Sequence, residues 1–318
     1  MQRRQIQTER LSQSILEAGS GPLVVLVHGF PELAISWTAQ VQALADAGYR
    51  AVAPDMRGYG GTDKPVAVEA YRMAELVGDM VDLVHALGET QAVVVGHDFG
   101  SAVAWNCALQ RPDVFRAVVG LSVPFAPRSL RAPPIAALKA IGQRIGQELY
   151  IVSFQAPDAH HPFDSDPRGS LRKAFWSYDG ATPAGQRSTG WLPPGVPMLD
   201  TISDEATLPP WLTPEHFDLY VQAFSAGGFA GPVNWYRNLD RNWHDTEALQ
   251  DKTIDQPGLF IVGAFDPVRL YSGKQEEAQG QWLTGLRGQI VVPDAGHWIQ
   301  QERPEAVNAA LVAFLRDL

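Results

Sequence analysis

The stretch that most limits what this chain can fold into lies between Gln91 and Ser101. A run of small and β-branched residues, Ala92-Val93-Val94-Val95, stops at Gly96; Asp98 stands two places on, and Gly100 closes the group. Residues 102–109 then read as a helix, so the stretch is a buried strand, a very tight turn and a helix. In such a turn the middle residue projects from the sheet edge on a strained backbone. The flanking glycines are required because strand and helix pass too closely for any side chain. Gly96-His97-Asp98-Phe99-Gly100 therefore has the pattern of a nucleophile elbow with aspartate at its centre. A buried strand ending in an aspartate N-cap fits the same residues, and the rest of the chain has to decide between the two.

Residues 22–27 form a continuous apolar run, as expected of a parallel strand covered on both faces. They end in His28-Gly29-Phe30-Pro31-Glu32, and residues 37–47 read as a helix. Residues 49–54 are a short strand ending in Asp55-Met56-Arg57-Gly58-Tyr59-Gly60-Gly61, which matches neither phosphate-cradling glycine pattern and reads as a structural turn. An amphipathic helix over 73–87 leads into the elbow strand, and 116–123 is another strand. The rhythm then breaks. Over 124–243 strand signals vanish, and helical stretches (135–154, 171–177, 214–224, 233–238) surround a proline-rich span over 181–214. Strands return at 258–263 and 289–292, with helices over 270–283 and 304–315. The expected fold is α/β: a mostly parallel, doubly wound sheet built from 1–123 and 244–318, interrupted by an all-helical insertion over 124–243. Ligands of such sheets bind at the carboxyl ends of the strands, so the insertion would lie over the elbow as a lid.

Charge and cysteine content narrow the partners. A formal net charge of −10 argues against nucleic acid and anionic membrane surfaces. The single cysteine, Cys107, excludes an internal disulfide and suits a reducing compartment. Residues 5–20 are too polar for a signal peptide, and no apolar run approaches the ~20 residues needed to span a bilayer. A cytoplasmic location is expected. His85, His160, His161, His216 and His244 show no zinc-type spacing, and neither a metal nor a cofactor is expected.

Two further motifs follow strands where a catalytic apparatus would need them: Ala264-Phe265-Asp266-Pro267 after 258–263, and Gly296-His297-Trp298 after 289–292. The chain order Asp98, Asp266, His297 is nucleophile, acid, histidine, the order that accompanies a nucleophile elbow.

With these motifs the chain resembles the epoxide hydrolases of the α/β-hydrolase superfamily, in particular the soluble ones, from about residue 20 to the C-terminus. The resemblance rests on His28-Gly29-Phe30-Pro31-Glu32, Gly96-His97-Asp98-Phe99-Gly100, Tyr150-x-x-x-Phe154-Gln155, Gly231-Pro232-x-Asn234-Trp235-Tyr236-Arg237-Asn238 and Gly296-His297-Trp298. The first two motifs are shared with dehalogenases, and the two lid tyrosine motifs are more specific. The resemblance implies an α/β-hydrolase fold with a cap. It implies Asp98 as nucleophile, His297 as base, Asp266 as its partner and Tyr150 with Tyr236 as ring-opening acids. It also implies an oxyanion hole of the Phe30 and Phe99 N–H groups, and a substrate surface including Phe30, Pro31, Phe99, Phe154 and Trp235. Many relatives carry Trp where this chain has Phe99.

The chemistry accounts for these residue types. Attack on an epoxide carbon by serine would leave an ether, whereas a carboxylate leaves an ester that water can cleave. The departing oxygen is a strong base, and a phenol of pKa about 10 stays protonated at neutral pH yet can donate to it. The expected partners are a small-molecule epoxide and water. A dehalogenase would use the same aspartyl ester, but Phe99 lacks the indole N–H such enzymes use on halide. A non-catalytic receptor on the same fold has no need of His297 opposite Asp98.

Overall fold

In the computed structural model, residues 1–204 and 206–318 are described. The strands are β1 (Gln2–Gln7), β2 (Ser12–Ala18), β3 (Leu23–Val27), β4 (Arg50–Pro54), β5 (Ala92–His97), β6 (Phe115–Leu121), β7 (Glu148–Leu149), β8 (Trp191–Leu192), β9 (Gly258–Gly263) and β10 (Leu286–Val292). Among the described residues, eight of them form one sheet in the order β1-β2-β4-β3-β5-β6-β9-β10. From β4 to β10 all neighbours are parallel, while β2 runs antiparallel to both β1 and β4. The central strands read as unbroken apolar runs because both faces are covered. Val24 and Leu26 join the layer of helices Thr38–Asp46 and Pro304–Arg316, whereas Val25 and Val27 join that of helices Met73–Ala86 and Phe99–Gln110.

At the end of β5 the chain makes the expected sharp turn. Asp98 has φ +53° and ψ −125°, a conformation that costs on the order of 1–3 kcal/mol for a residue with a side chain. The neighbouring glycines allow it: a Cβ on Gly96 would collide with the Gly100 carbonyl, and one on Gly100 with the Val27 carbonyl. The glycine-rich turn after β4 is structural. Asp55 accepts from the N–H groups of Ala34 and Gly61, and buried Arg57 grips Asp79 through two hydrogen bonds of 2.5 and 2.7 Å.

Two features differ from the sequence reading. The antiparallel pair β1–β2 was not expected: β1 is a polar edge strand whose Arg3 and Arg4 pair with Asp55 and Glu17, so it lacks an apolar signature. The insertion between β6 and β9 is not all-helical either, because β7 and β8 form a two-stranded antiparallel ribbon. The helix expected over 135–154 divides there. Helix Pro134–Ile145 stops at Gly146, whose φ of +69° is a left-handed cap, and a separate short helix starts at Tyr150. The Tyr150 N–H donates to the Gly190 carbonyl (3.0 Å), which ties the start of that helix to the ribbon. No helix among the described residues is long and apolar enough to cross a membrane.

The insertion is fastened to the sheet by specific polar contacts. The indole of Trp298 donates to the Phe175 carbonyl, that of Trp235 to the Arg57 carbonyl, and the His297 N–H to the Tyr178 carbonyl. Glu302 braces the same seam, accepting from the N–H groups of Gly180, Gly296 and Trp298 at 3.0, 2.7 and 2.9 Å. Burial and then the nearby Asp179 carboxylate push its pKa up to about 8, against the pull of those donors. Between pH 4.5 and 8 the folded chain therefore keeps a proton that the unfolded chain has lost. Stability falls as pH rises across that window, by up to about 1.4 kcal/mol per pH unit from this group. Glu302→Gln removes the titration, so its unfolding free energy should decline less steeply than that of the parent from pH 5 to 8. Denaturant melts at matched pH values check this, and parallel curves would refute it.

Candidate active site

Asp98 is 6% exposed, and its two oxygens are differently engaged. Oδ1 accepts from the Phe30 N–H at 2.9 Å, and Oδ2 lies 3.5 Å from Nε2 of His297. The Phe99 N–H opens helix Phe99–Gln110, where the first amide groups lack intrahelical acceptors and favour an anion. Burial raises the pKa of Asp98, but the His297 imidazole and the Phe30 N–H outweigh it and hold the group below its ordinary value. Nδ1 of His297 stands 3.1 Å from both oxygens of Asp266. Asp266 is itself aimed by the Val268 N–H, at 2.9 Å. Burial opposes the charge on His297, but Asp266 and Asp98 together raise its pKa well above the usual value. Asp98, Asp266 and His297 are thus drawn into one line from three strand ends.

A second buried chain of contacts fixes that line. Oε2 of Glu32 accepts from the Gly29 N–H (3.1 Å) and faces Nδ1 of His97 (2.7 Å); Oε1 accepts from Gln300 (2.7 Å). Nε2 of His97 faces the carbonyl of His297 at 2.7 Å. Glu32 and His97 thereby tie the Phe30 loop, the elbow and the His297 loop together. His28 accepts from the Met56 N–H through Nε2 (3.0 Å) and turns Nδ1 to the Gly29 carbonyl (2.9 Å). It is neutral, since burial lowers its pKa. These residues hold the loop and do not touch the cavity.

The cavity above Asp98 is bounded by Phe30, Pro31, Tyr150, Tyr236 and His297 among others. Tyr150 and Tyr236 come from separate lid helices, with ring centroids 5.9 Å apart. Gln155 joins these helices by donating to the Tyr236 carbonyl at 2.9 Å. Burial and then the negative charge of Asp98 push both phenols well above their usual pKa, so they keep their protons. A more open cleft lies on the far side of helix Arg269–Ala278, bordered by Pro267, Leu270 and Arg187. Asp266 borders this cleft too, but its carboxylate is turned toward His297.

Three rings expected to meet the substrate lie behind the cavity wall. Phe154 packs edge-on against Tyr150 and Tyr236, both at 5.2 Å, and Trp235 and Phe99 pack on each other at 5.2 Å. Phe99 also backs Tyr236 at 5.0 Å. Their motif spacing located them near the tyrosines but not which way each ring turns. Conversely, Ala174, Tyr178, Met198, Val268 and Tyr271 line the cavity and drew no notice in sequence. Nothing local marks them, because only the seating of the insertion on the sheet brings them there.

Comparison with known proteins agrees with this geometry. The α/β hydrolase fold family matches residues 22–304. Epoxide hydrolase A of Mycobacterium tuberculosis is 42% identical over 99% of this chain and 97% of its own. Epoxide hydrolase 3 of Siraitia grosvenorii is 37% identical over 98% of this chain and 96% of its own. Among solved structures, an epoxide hydrolase from an endophytic Streptomyces superposes with a TM-score of 0.94 at 43% identity, covering 99% of this chain and 95% of that one. With matches of this length and closeness, the chain belongs to the epoxide hydrolases of the α/β-hydrolase fold.

Proposed function

We propose that the chain converts a small-molecule epoxide to a vicinal diol through a covalent ester on Asp98. In this reading residues 124–243 act as the cap over a core of 1–123 and 244–318. The observation that carries it is a buried, ionised carboxylate on a strained elbow, facing two protonated lid phenols across a small cavity. Oδ1 is occupied by the Phe30 N–H, so Oδ2 is the attacking oxygen. As its bond to carbon forms, the ring C–O bond breaks and the electron pair passes to the ring oxygen, which takes a proton from Tyr150 or Tyr236. The charge of Asp98 moves to a phenolate, and the ester is neutral.

Esterification also changes His297. Its raised pKa depends on Asp98 as well as Asp266, so losing the Asp98 charge favours release of its proton, which restores the phenol. The neutral imidazole then takes a proton from water attacking the ester carbon, while Asp266 stabilises the new cation. The ester carbonyl is Oδ1, already on the Phe30 N–H, so the tetrahedral oxyanion forms against one fixed donor, with the Phe99 N–H as the second donor in this reading. Collapse breaks the ester C–O bond, and the leaving alkoxide takes the proton of the new Asp98 carboxyl, which frees the diol and restores charged Asp98 beside protonated His297.

A dehalogenase reading finds no halide cradle among the described residues. Phe99 has no ring N–H, and the indoles of Trp235 and Trp298 donate to the carbonyls of Arg57 and Phe175.

Separate roles for the two half-reactions give separate outcomes. His297→Gln should still be alkylated but fail to hydrolyse the ester, gaining one substrate mass on the peptide that bears Asp98. A folded, epoxide-binding variant that forms no adduct would overturn this division. Tyr150→Phe and Tyr236→Phe should each slow alkylation about 10²–10³-fold, as expected for losing one donor to a developing oxyanion. Stopped-flow measurement of the first turnover reads this directly, and an unchanged rate would remove that tyrosine from the mechanism.

A further inference from the structure

The glycine-rich turn after β4 and the residues that follow it meet the insertion at four points. A Cβ on Gly231 would stand 2.9 Å from the Gly58 Cα, so the two backbones touch. The Trp235 indole donates to the Arg57 carbonyl at 3.1 Å. Nδ2 of Asn238 donates to the Val68 carbonyl at 2.6 Å, and Oδ1 of Asn242 accepts from the Met73 N–H at 2.8 Å. The spacing of 231, 235 and 238 places them on one stripe of helix Ala230–Arg237 and its cap, and Asn242 extends the row into helix Leu239–Asp245. Tyr236, one residue past Trp235, is turned about 100° from that stripe and lines the cavity.

We propose that Asn238 is a positioning residue for ring opening. By fastening the end of helix Ala230–Arg237 to the Val68 carbonyl, it fixes the rotation of that helix and so aims the Tyr236 phenol into the cavity. So short a helix does not hold itself in water, and what it packs on decides its orientation. Asn238 is fully buried, and its Nδ2 also donates to the Asn234 carbonyl at 2.8 Å, so one amide clasps the helix and its seat together. Its Oδ1 has no partner among the described residues, which is costly at a buried position. The two donors are therefore what this position uses. The seat is rigid in turn: Arg57 is gripped by Asp79, and the Gly58 backbone, at φ +90°, is closed in by the Tyr71 ring. Tyr150 is held differently, since its N–H donates to the Gly190 carbonyl within the insertion. The two phenols thus take their positions from different parts of the chain, and a change at Asn238 reaches Tyr236 first. A donor to a developing oxyanion is most effective when it is already in place, so loosening this tie weakens ring opening.

This inference rests on Tyr236 being a ring-opening acid, and the test separates the two. Asn238→Leu keeps the volume and removes both donors. In single-turnover measurements with one epoxide it should slow alkylation about tenfold, within the roughly 10²-fold that a 1 Å misplacement costs, and leave ester hydrolysis unchanged. In the Tyr236→Phe background the same change should cause no further loss, whereas in the Tyr150→Phe background the full loss should persist. Asn242→Ala, which removes only the tie to Met73, should show the same dependence on background with a smaller loss, and it decides the matter if Asn238→Leu does not fold. A folded Asn238→Leu that alkylates at the parent rate overturns the role of Asn238 and leaves Tyr236 standing. So does a loss of equal size in both backgrounds, which a general disturbance of the lid would give, or, where Asn242→Ala decides, an unchanged rate in that variant. If Tyr236→Phe itself leaves alkylation intact, the acid has been misassigned and the inference falls with it.

Discussion

Everything at the carboxyl end of this sheet depends on keeping one carboxylate ionised where water scarcely reaches. An isolated buried charge is expensive, and it persists only where donors replace its hydration. Asp98 has such partners on two sides, the Phe30 N–H and the His297 imidazole, and it stands at the opening of helix Phe99–Gln110, where the dipole favours an anion. Each is itself held by another element. The Phe30 loop is anchored by Glu32, the helix opening by the elbow, and the imidazole by Asp266. The strain at the Asp98 backbone is tolerated because the surrounding sheet and glycines leave the turn no other course.

In the proposed mechanism the same electrostatic arrangement separates the two half-reactions. While Asp98 is charged, His297 lies between two carboxylates and holds its proton. In the proposed ester state one of those charges is gone, and the imidazole would serve as the base. The phenols respond to the same charge in the opposite sense, since Asp98 helps to keep them protonated until its own charge is consumed. In that reading one group biases both the proposed acids and the proposed base, through space rather than through movement.

Rigidity in the lid comes from aromatic edges. Phe154 meets Phe30, Tyr150 and Tyr236 at 5.2–5.6 Å, and Phe99 supports Tyr236 from below. Such edge-to-face contacts add modest directional energy beyond burial, and here they fix ring orientation within a wall made by both the lid and the sheet. Gln155 and the Tyr150 N–H add the polar ties, so the phenols are held at both backbone and ring.

The elements that short-range physics controls were legible in the chain itself. Strands β3, β5 and β9 declare themselves as apolar runs, because parallel strands are covered on both faces. The Gly96–Gly100 turn declares itself because no other residue fits its close approach. The order Asp98, Asp266, His297 follows from each standing at the end of a strand. What stayed hidden depends on partners far away in sequence. Edge strand β1 is stabilised by Arg3 and Arg4 reaching Asp55 and Glu17, and the β7–β8 ribbon pairs Glu148 with Leu192. Phe154 and Trp235 turned behind the wall, while Tyr178 and Tyr271 became part of it. A helix periodicity specifies which face is apolar but not what will cover it. That choice was made only when the insertion docked on the sheet, through contacts such as Trp298 to Phe175 that span more than a hundred residues.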